Sequence, residues 1–441
     1  MKRSFTALTL LMGLFASSVV QATTAEDIKS FTLDNGMKIM VLEDASIPNA
    51  NMYLFWKVGS RNEVPGITGI SHFFEHMMFN GSKKYGPKMF DRTMEAAGGA
   101  NNAYTSEDLT VYTDWFPANA LETMFDLEAD RIAHLDINPE MVESERGVVA
   151  SERTTGLENS NWRTLQEALK GVAFSAHPYS WSVIGYESDI AAWTLDDLVQ
   201  YHKTYYAPNN AIVVVAGDVK FDEVKRLATQ YFGPIPAQAP PKAVRTVEPP
   251  QQGERRLFVE KASVSTPNVM LAYHVPATSD EDYYALDLLN SILSQGNSSR
   301  FYKSLVDKQV ALAAETYLPM SFDPNLFYIL GVANQGVDAQ VLEKAMITQI
   351  NLISTEGVSQ AELEKVKNIK LMEFYQTMET INGKANTLGT YELYFGSFNK
   401  LFNAPEAYNK VTPADIKRVA AKYLVKSNRT VGVLAAKEGA E

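Results

Sequence analysis

The sequence predicts an α+β protein of two homologous domains, each a mostly antiparallel sheet flanked by helices. Three observations predict it. Thr194-Leu-Asp-Asp197-Leu198, followed by Tyr205, Asn210, Val213 and Val215, recurs as Thr412-Pro-Ala-Asp415-Ile416 with Tyr423, Asn428, Val431 and Val433, each pair 218 residues apart. Both copies read as a helix with a threonine N-cap and an acid at its third position, running into a β-branched strand. Between them, residues 233–256 carry Pro234, Pro236, Pro240, Pro241, Pro249 and Pro250, which deny helix and ladder hydrogen bonds and suggest a semi-extended linker. Strand-like and amphipathic helical patterns also interleave on both sides of it. The domains expected are 23–232 and 257–441. Chance similarity of one helix–strand unit, and a long loop within a single domain, are the competing readings.

In chain order, residues 1–22 read as a signal peptide: Lys2 and Arg3, an apolar run from Phe5 to Val20, and small residues at Val20 and Ala22 for cleavage after Ala22. The run is shorter than the ~20 residues a spanning helix needs; a buried N-terminal helix is the alternative. No cysteine follows for a lipid anchor, and no later segment is apolar enough to cross a bilayer. The mature chain is expected to be exported without a membrane anchor, and periplasmic if the source is Gram-negative. Residues 31–41 form a hairpin about Asn35-Gly36, and Met52–Val58 alternates as a strand. Helices follow over Ile67–Phe79 and Lys88–Ala97, the second ending at Gly98-Gly99. Asn101–Thr105 and Leu109–Phe116 read as paired strands, then Leu121–Ile132 and Pro139–Thr155 as helices. Beyond the linker, helices at Tyr283–Leu293 and Leu342–Ile353 sit among strands at Asn268–His274 and Leu326–Val332.

Composition narrows the chemistry. With 46% hydrophobic and 21% charged residues the chain has material for sizeable cores, which excludes disorder. Forty Lys+Arg against 52 Asp+Glu give −12, with no basic block, which argues against nucleic-acid binding and favours basic partners. Cysteine is absent, so disulfides, thiolate zinc sites and a cysteine nucleophile are excluded, leaving His, Asp and Glu as metal ligands.

His72-Phe73-Phe74-Glu75-His76 supplies such ligands. On a helix the four-residue spacing stacks both imidazoles on one face, half of a zinc site. Glu75, three residues after His72, can reach a water in the metal's open position and take its proton. The order H-x-x-E-H is the inverzincin pattern. The bland alternative is a helix whose histidines fill a core edge. A third ligand must come from another element, and the Pro139–Thr155 helix offers Glu143, Glu145 and Glu152. Glu145 and Glu152 are two turns apart on one face, which is either solvated or aimed at a cation.

His72-x-x-Glu75-His76 together with Glu152, 76 residues beyond His76, resembles the insulinase/pitrilysin (inverzincin) family of zinc metallopeptidases, and within it the bacterial processing-peptidase-like members. The resemblance implies His72, His76 and Glu152 as ligands of one Zn2+ per chain, Glu75 as general base, and Glu145 as a carboxylate orienting a ligand histidine. It implies that the two domains form half of a clamshell, and that residues 99–112 are the strand pair beside the metal. Peptide substrate would add there as a further strand, along Asn102, Ala103 and Thr105. The His177-Pro178-Tyr179 and Val183-Ile184-Gly185 segments are also family-like, with His177 read as structural. His134, His202 and His274 read as packing or surface residues.

In the second half, Gly296-Asn-Ser298-Ser299-Arg300 resembles a helix start of the family, but the arginine and tyrosine that complete the site in active members fall at Val306 and near Ala313, with Tyr317 close by. This departure implies a homologous, zinc-lacking partner chain that supplies them in a heterodimer, a homodimer being the other arrangement. The chain thus reads as an exported zinc metallopeptidase acting on peptides or unfolded segments. The alternative is a non-catalytic peptide-binding or scaffold subunit.

Overall fold

The computed structural model describes residues 23–437, so the expected signal peptide lies outside the described residues. In the first half, β1 (Ile28–Thr32), β2 (Lys38–Glu43), β3 (Asn49–Trp56), β4 (Ala100–Thr105), β5 (Thr110–Pro117) and β6 (Ala211–Gly217) form a sheet in the order β1-β2-β6-β3-β5-β4. In the second, β7 (Arg255–Glu260), β8 (Asn268–Val275), β9 (Ala311–Tyr317), β10 (Asn325–Ala333) and β11 (Arg429–Ala435) follow the order β7-β11-β8-β10-β9. Without β1 the two orders superimpose, and the parallel pair falls at the same place in each, β2 with β6 and β7 with β11, all else being antiparallel. The predicted fold class is the observed one.

The repeat is structural in detail. Helices α1 (Ile70–Met77), α2 (Met89–Ala96), α3 (Leu121–His134), α4 (Pro139–Asn159), α5 (Asn161–Ala173), α6 (Glu187–Ala192), α7 (Leu195–Tyr205) and α8 (Phe221–Tyr231) belong to the first half. Helices α9 (Tyr283–Ser294), α10 (Ala339–Glu356), α11 (Gln360–Glu379), α12 (Ile381–Tyr394), α13 (Asn399–Lys410) and α14 (Pro413–Tyr423) belong to the second. Thr194 and Thr412 close capping boxes with Asp197 and Asp415 at the starts of α7 and α14. The repeated asparagines explain their own recurrence. Asn210 Nδ2 donates to the Tyr205 and Lys57 carbonyls at 2.8 and 3.3 Å, and Asn428 Nδ2 to the Tyr423 and His274 carbonyls at 2.7 and 2.8 Å. Each ties its helix end to the neighbouring strand.

One face of the first sheet packs on α1, α3, α7 and α8 through Leu54, Trp56, Phe73, Phe74, Phe125 and Leu227. One face of the second packs on α9, α10 and α14. The opposite faces are exchanged between halves. Ile381, Ala385, Leu388 and Tyr391 of α12 cover Met40, Tyr53, Phe55 and Val214 of the first sheet, while Leu165 and Leu169 of α5 cover Met270, Ala272, Tyr328 and Leu434 of the second. Burial on both faces accounts for the unbroken apolar run of β6, every residue of which is buried.

Residues 236–254 carry no helix or strand, whereas β7 begins at Arg255, inside the segment read as linker. The stretch is tied down: both Glu248 carboxylate oxygens accept bonds from the backbone amides of Ser175, Ala176 and His177 and the Ser175 hydroxyl, at 2.6–3.0 Å. Residues 296–305, read as a helix start, run into a short π-type turn at Tyr302–Val306.

Candidate metal centre and active site

Helix α1 presents two faces of different character. Ile70, Phe73, Phe74 and Met77 are fully buried in the core, which leaves His72, Glu75 and His76 on the opposite side. Its N-terminus is held by a carboxylate: Gly69 and Ser71 amides donate to Glu63 Oε2 and Oε1, both at 2.8 Å. Gly69 stands at φ +85°, and a Cβ there would lie 2.3 Å from the Ile184 carbonyl oxygen; at Gly185, φ +80°, a Cβ would lie 2.4 Å from the Thr68 carbonyl oxygen. The family-like Val183-Ile184-Gly185 segment thus locks backbone to backbone against the start of α1.

Helix α4 crosses α1 with an inward stripe in which Val142 and Val149 are buried and Glu145 and Glu152, three residues after each, reach the histidines. Glu143, another acid of that helix, is exposed and pairs with Arg146 instead. His72 Nε2 and His76 Nε2 lie 3.6 and 3.5 Å from the same Glu152 oxygen, and one ligand atom from each residue falls within 4.8 Å of the others. Ligands about 2.1 Å from a tetrahedral zinc stand about 3.4 Å apart, so two imidazole nitrogens and one carboxylate oxygen at these separations fit that ion. His76 Nδ1 donates to Glu145 Oε1 at 2.7 Å, and Asn80 Nδ2 holds Glu145 Oε2 at 2.7 Å. The bond fixes the tautomer that turns Nε2 toward Glu152.

Burial pushes the His72 imidazole down to about 4, so it is neutral. For His76 burial acts the same way, but the Glu145 and Glu152 carboxylates outweigh it and hold the proton up to about 9. The same contacts keep both carboxylates below their ordinary range. Burial raises Glu75, with the Thr105 hydroxyl opposing it by donating to Oε2 at 2.5 Å. A carboxylate shifted upward in a cleft is suited to accept a proton.

Strand β4 ends the first sheet, paired to β5 alone, with its other edge open beside α1. Asn102, Ala103 and Thr105 lie along it. Asn102 and Ala103 line a cavity of about 300 Å³ with Glu75, His76 and Glu145, and Thr105 lines another of about 250 Å³ with His72 and Glu152. Two cavities therefore flank the cluster along one open strand.

The remaining histidines are accounted for by packing. His177 Nε2 meets Asp323 at 3.2 Å and its Nδ1 accepts the Tyr179 amide, His202 stacks on Tyr206, His274 Nε2 lies 3.1 Å from the Ala173 carbonyl, and His134 pairs with Asp130. Val306 and Ala313 are part of the second half, and Tyr317 is half-exposed on the edge strand β9. No tyrosine lines either cavity beside the cluster. Arg163, which also lines the 250 Å³ cavity, was not singled out by the sequence; the signal available was Gly156, one turn beyond Glu152, on which it lies.

Proteins of similar sequence and fold are known. Residues 38–186 match the family model described as Insulinase (Peptidase family M16), and residues 192–370 the one described as Peptidase M16 inactive domain. The second match starts ahead of α7 and β6, although β6 is a strand of the first sheet and α7 packs in the core beneath it. A protein named zinc protease PqqE from Helicobacter pylori is 32% identical over 96% of this chain and 95% of its own. The crystal structure of a protease from Helicobacter pylori superimposes with a TM-score of 0.90 at 31% identity, covering 92% of this chain and 99% of that one. The periplasmic protease PqqL from Escherichia coli shares the fold with a TM-score of 0.77 at 21% identity, over 95% of this chain but 49% of its own. By the matched models and the identity it shares with a relative along nearly its whole length, the chain belongs to the insulinase family, peptidase family M16.

Proposed function

We propose that the chain is an exported zinc metallopeptidase that hydrolyses peptide bonds in peptides or unfolded segments. The observation that carries this is the convergence of His72 Nε2, His76 Nε2 and Glu152 on one point, with Glu75 held by Thr105 beside the open edge of β4. His72, His76 and Glu152 are the ligands of one zinc ion per chain, which when bound supplies Lewis-acid activation of water and of the scissile carbonyl. Glu145 sets the orientation of His76 by holding its Nδ1 proton.

Glu75 is the general base. Thr105 occupies its Oε2, so Oε1 is free to accept a proton from the attacking water and return it to the leaving amine nitrogen as the C–N bond breaks. The substrate lies as an extra strand on β4, along Asn102, Ala103 and Thr105. Backbone bonding of this kind accepts many sequences and leaves selectivity to side cavities.

The signal peptide is residues 1–22, the zinc-binding domain 23–232, and the connecting segment runs from 233 to the start of β7 at Arg255, where the second domain begins. Among the described residues no helix is long and apolar enough to cross a membrane. With no tyrosine lining the cluster's cavities, a homologous zinc-lacking partner chain supplies the arginine and tyrosine that complete the site. The fold of the E. coli protease supports this, since it includes a unit like this chain in about half of its length.

The test is hydrolysis of a quenched-fluorescent peptide by the mature chain, with and without chelator, beside Glu75→Gln, with zinc content determined on both. Cleavage lost on chelation and in the variant, which keeps its zinc, is the expected result if the chain works alone. A zinc-loaded chain that cuts only after a second homologous chain is added establishes the partner. A chain that binds no zinc overturns the reading.

A further inference from the structure

The cavity at the His72–Glu152 edge of the cluster measures about 250 Å³, below the ~300 Å³ at which pockets begin to hold drug-sized ligands, a size for one side chain. Gly156, Leu157, Val183 and Ile184 form its apolar wall. Its charged groups cancel in pairs. Lys170 Nζ meets Glu107 at 2.9 Å, and Arg153 holds Glu167 through two bonds of 2.9 and 2.7 Å, with the Ser182 hydroxyl adding a third at 2.8 Å. Glu152 faces the two imidazoles.

One charge is left over. The Arg163 guanidinium has no ion pair or side-chain hydrogen bond among the described residues, although it lines this cavity. Its Nη1 lies across α4 at Gly156, 2.8 Å from where a Cβ would stand. Glycine at that place lets the arginine lie along the helix, close enough for its charge to act on His72 and Glu152. The cavity on the other side of the cluster has the opposite polarity, lined by Asp91, Glu75 and Glu145.

We infer that Arg163 receives a carboxylate, so that the peptide bound at this site carries glutamate or aspartate at the residue whose side chain enters the cavity. The inference rests on the peptidase reading and names its substrate class. The overall charge of −12 draws basic segments, but this cavity is lined so as to select the opposite sign beside the scissile bond. A guanidinium–carboxylate contact discriminates against a neutral isostere by about tenfold or more. Exposure of the arginine makes that preference fall with ionic strength.

Binding and cleavage are measured separately. Fluorescein-labelled peptides in which Glu, Gln or Lys is moved through each position of a neutral host are titrated into zinc-loaded Glu75→Gln protein, alone and combined with Arg163→Gln or Arg163→Glu. The same peptides are digested with the parent protein. At one position the Glu peptide is expected to bind about tenfold more tightly than Gln, the ratio to fall to within about twofold in Arg163→Gln, and Lys to be preferred in Arg163→Glu. Arg163 is exposed, so the variants are expected to fold, which thermal unfolding verifies. Equal binding of Glu and Gln at every position, or a preference that survives Arg163→Gln, overturns the inference even if the parent cleaves. Arg163-dependent binding without cleavage by the parent, both alone and with a homologous zinc-lacking chain added, upholds it and overturns the peptidase reading instead.

Discussion

His76 and Glu145 are joined by a 2.7 Å bond from the imidazole Nδ1 to Oε1, and the helix that supplies this carboxylate supplies Glu152 to the same imidazole's Nε2 two turns later. One helix therefore both orients the histidine and completes the cluster. Glu145→Gln keeps the shape but weakens the charge-assisted bond, and outer ligand partners of this kind are worth about 10- to 100-fold in metal affinity. The expected result is that loss of zinc affinity with an unchanged fold, read by competition titration against a chelator and by circular dichroism.

The same pair sets a pH dependence. His76 holds its proton up to about 9 in the metal-free protein, above its ordinary value of about 6.5. Its contribution to metal-free stability is thus fully present below about 6.5 and is lost as pH rises through about 9. Zinc must displace that proton, so affinity should rise about tenfold per pH unit up to about 9. His72, already neutral with its value pushed down to about 4, adds no slope there. Competition titrations across pH 6.5–8.5 check this, with the slope flattened in Glu145→Gln, and thermal unfolding of the metal-free wild type should converge on that of His76→Ala as pH rises.

What the sequence made legible was what is local. The imidazoles lie four residues apart on one helix, so geometry follows from spacing. Glu152 did not follow from spacing alone, because its helix carries Glu143, Glu145 and Glu152. What selects among them is the position of Val142 and Val149, whose burial turns the residues three further on toward α1. The exchanged helices were less accessible. The apolar residues of α12 recur with helical period, yet nothing in them says that the surface they cover belongs to the sheet of the other half, with strands β2 and β3 more than 300 residues earlier. Likewise, Glu248 in a proline-rich stretch gives no sign that its partners are amides some 70 residues upstream.

Contacts between the halves reach the turn beside Thr105, whose hydroxyl is bonded to Glu75. Phe322 donates its amide to Asp108 Oδ2 at 2.9 Å, Tyr179 its hydroxyl to Oδ1 at 2.6 Å, and Arg61 lies between Asp108 and Asp323. Asp108 is in the turn that joins Thr105 of β4 to β5. Burial pushes Asp108 up to about 7, with Tyr179 and Arg61 opposing it, so in Arg61→Met the carboxyl takes up a proton and loses its charged partner, a change that costs about 1–3 kcal/mol. The expected outcome is that loss in denaturant unfolding, with faster amide exchange at residues 106–109.

The backbone lock at the start of α1 is similarly exposed to a single methyl group. Gly69→Ala imposes a left-handed backbone on an L residue, about 1–2 kcal/mol, and puts a Cβ 2.3 Å from the Ile184 oxygen. Relief requires α1 to move away from the 182–185 segment, and His72 lies in the first turn of that helix. A lowered unfolding temperature together with weakened zinc binding is expected, whereas Gly66→Ala, whose Cβ meets no atom within 4 Å, has the positive φ without the collision and should lose stability alone.

Gly389 tests whether the exchanged helix holds the first sheet together. It lies on α12 where a Cβ would fall 2.1 Å from the Phe55 ring, and Phe55 is fully buried on β3. The ring cannot retreat, because Tyr53 stacks beside it at 5.7 Å and the strand is paired on both sides by β5 and β6. Gly389→Val must therefore lift α12, and overpacking of this kind costs about 1–3 kcal/mol. Since α12 also carries Lys384, paired with Asp44 at 2.5 Å, and Glu392, paired with Lys38 at 2.6 Å, the lift strains both ion pairs between the halves. If α12 is integral to the first sheet, hydrogen exchange should accelerate in β3 and β6 as well as in α12; acceleration confined to α12 would mean that the sheet stands without it.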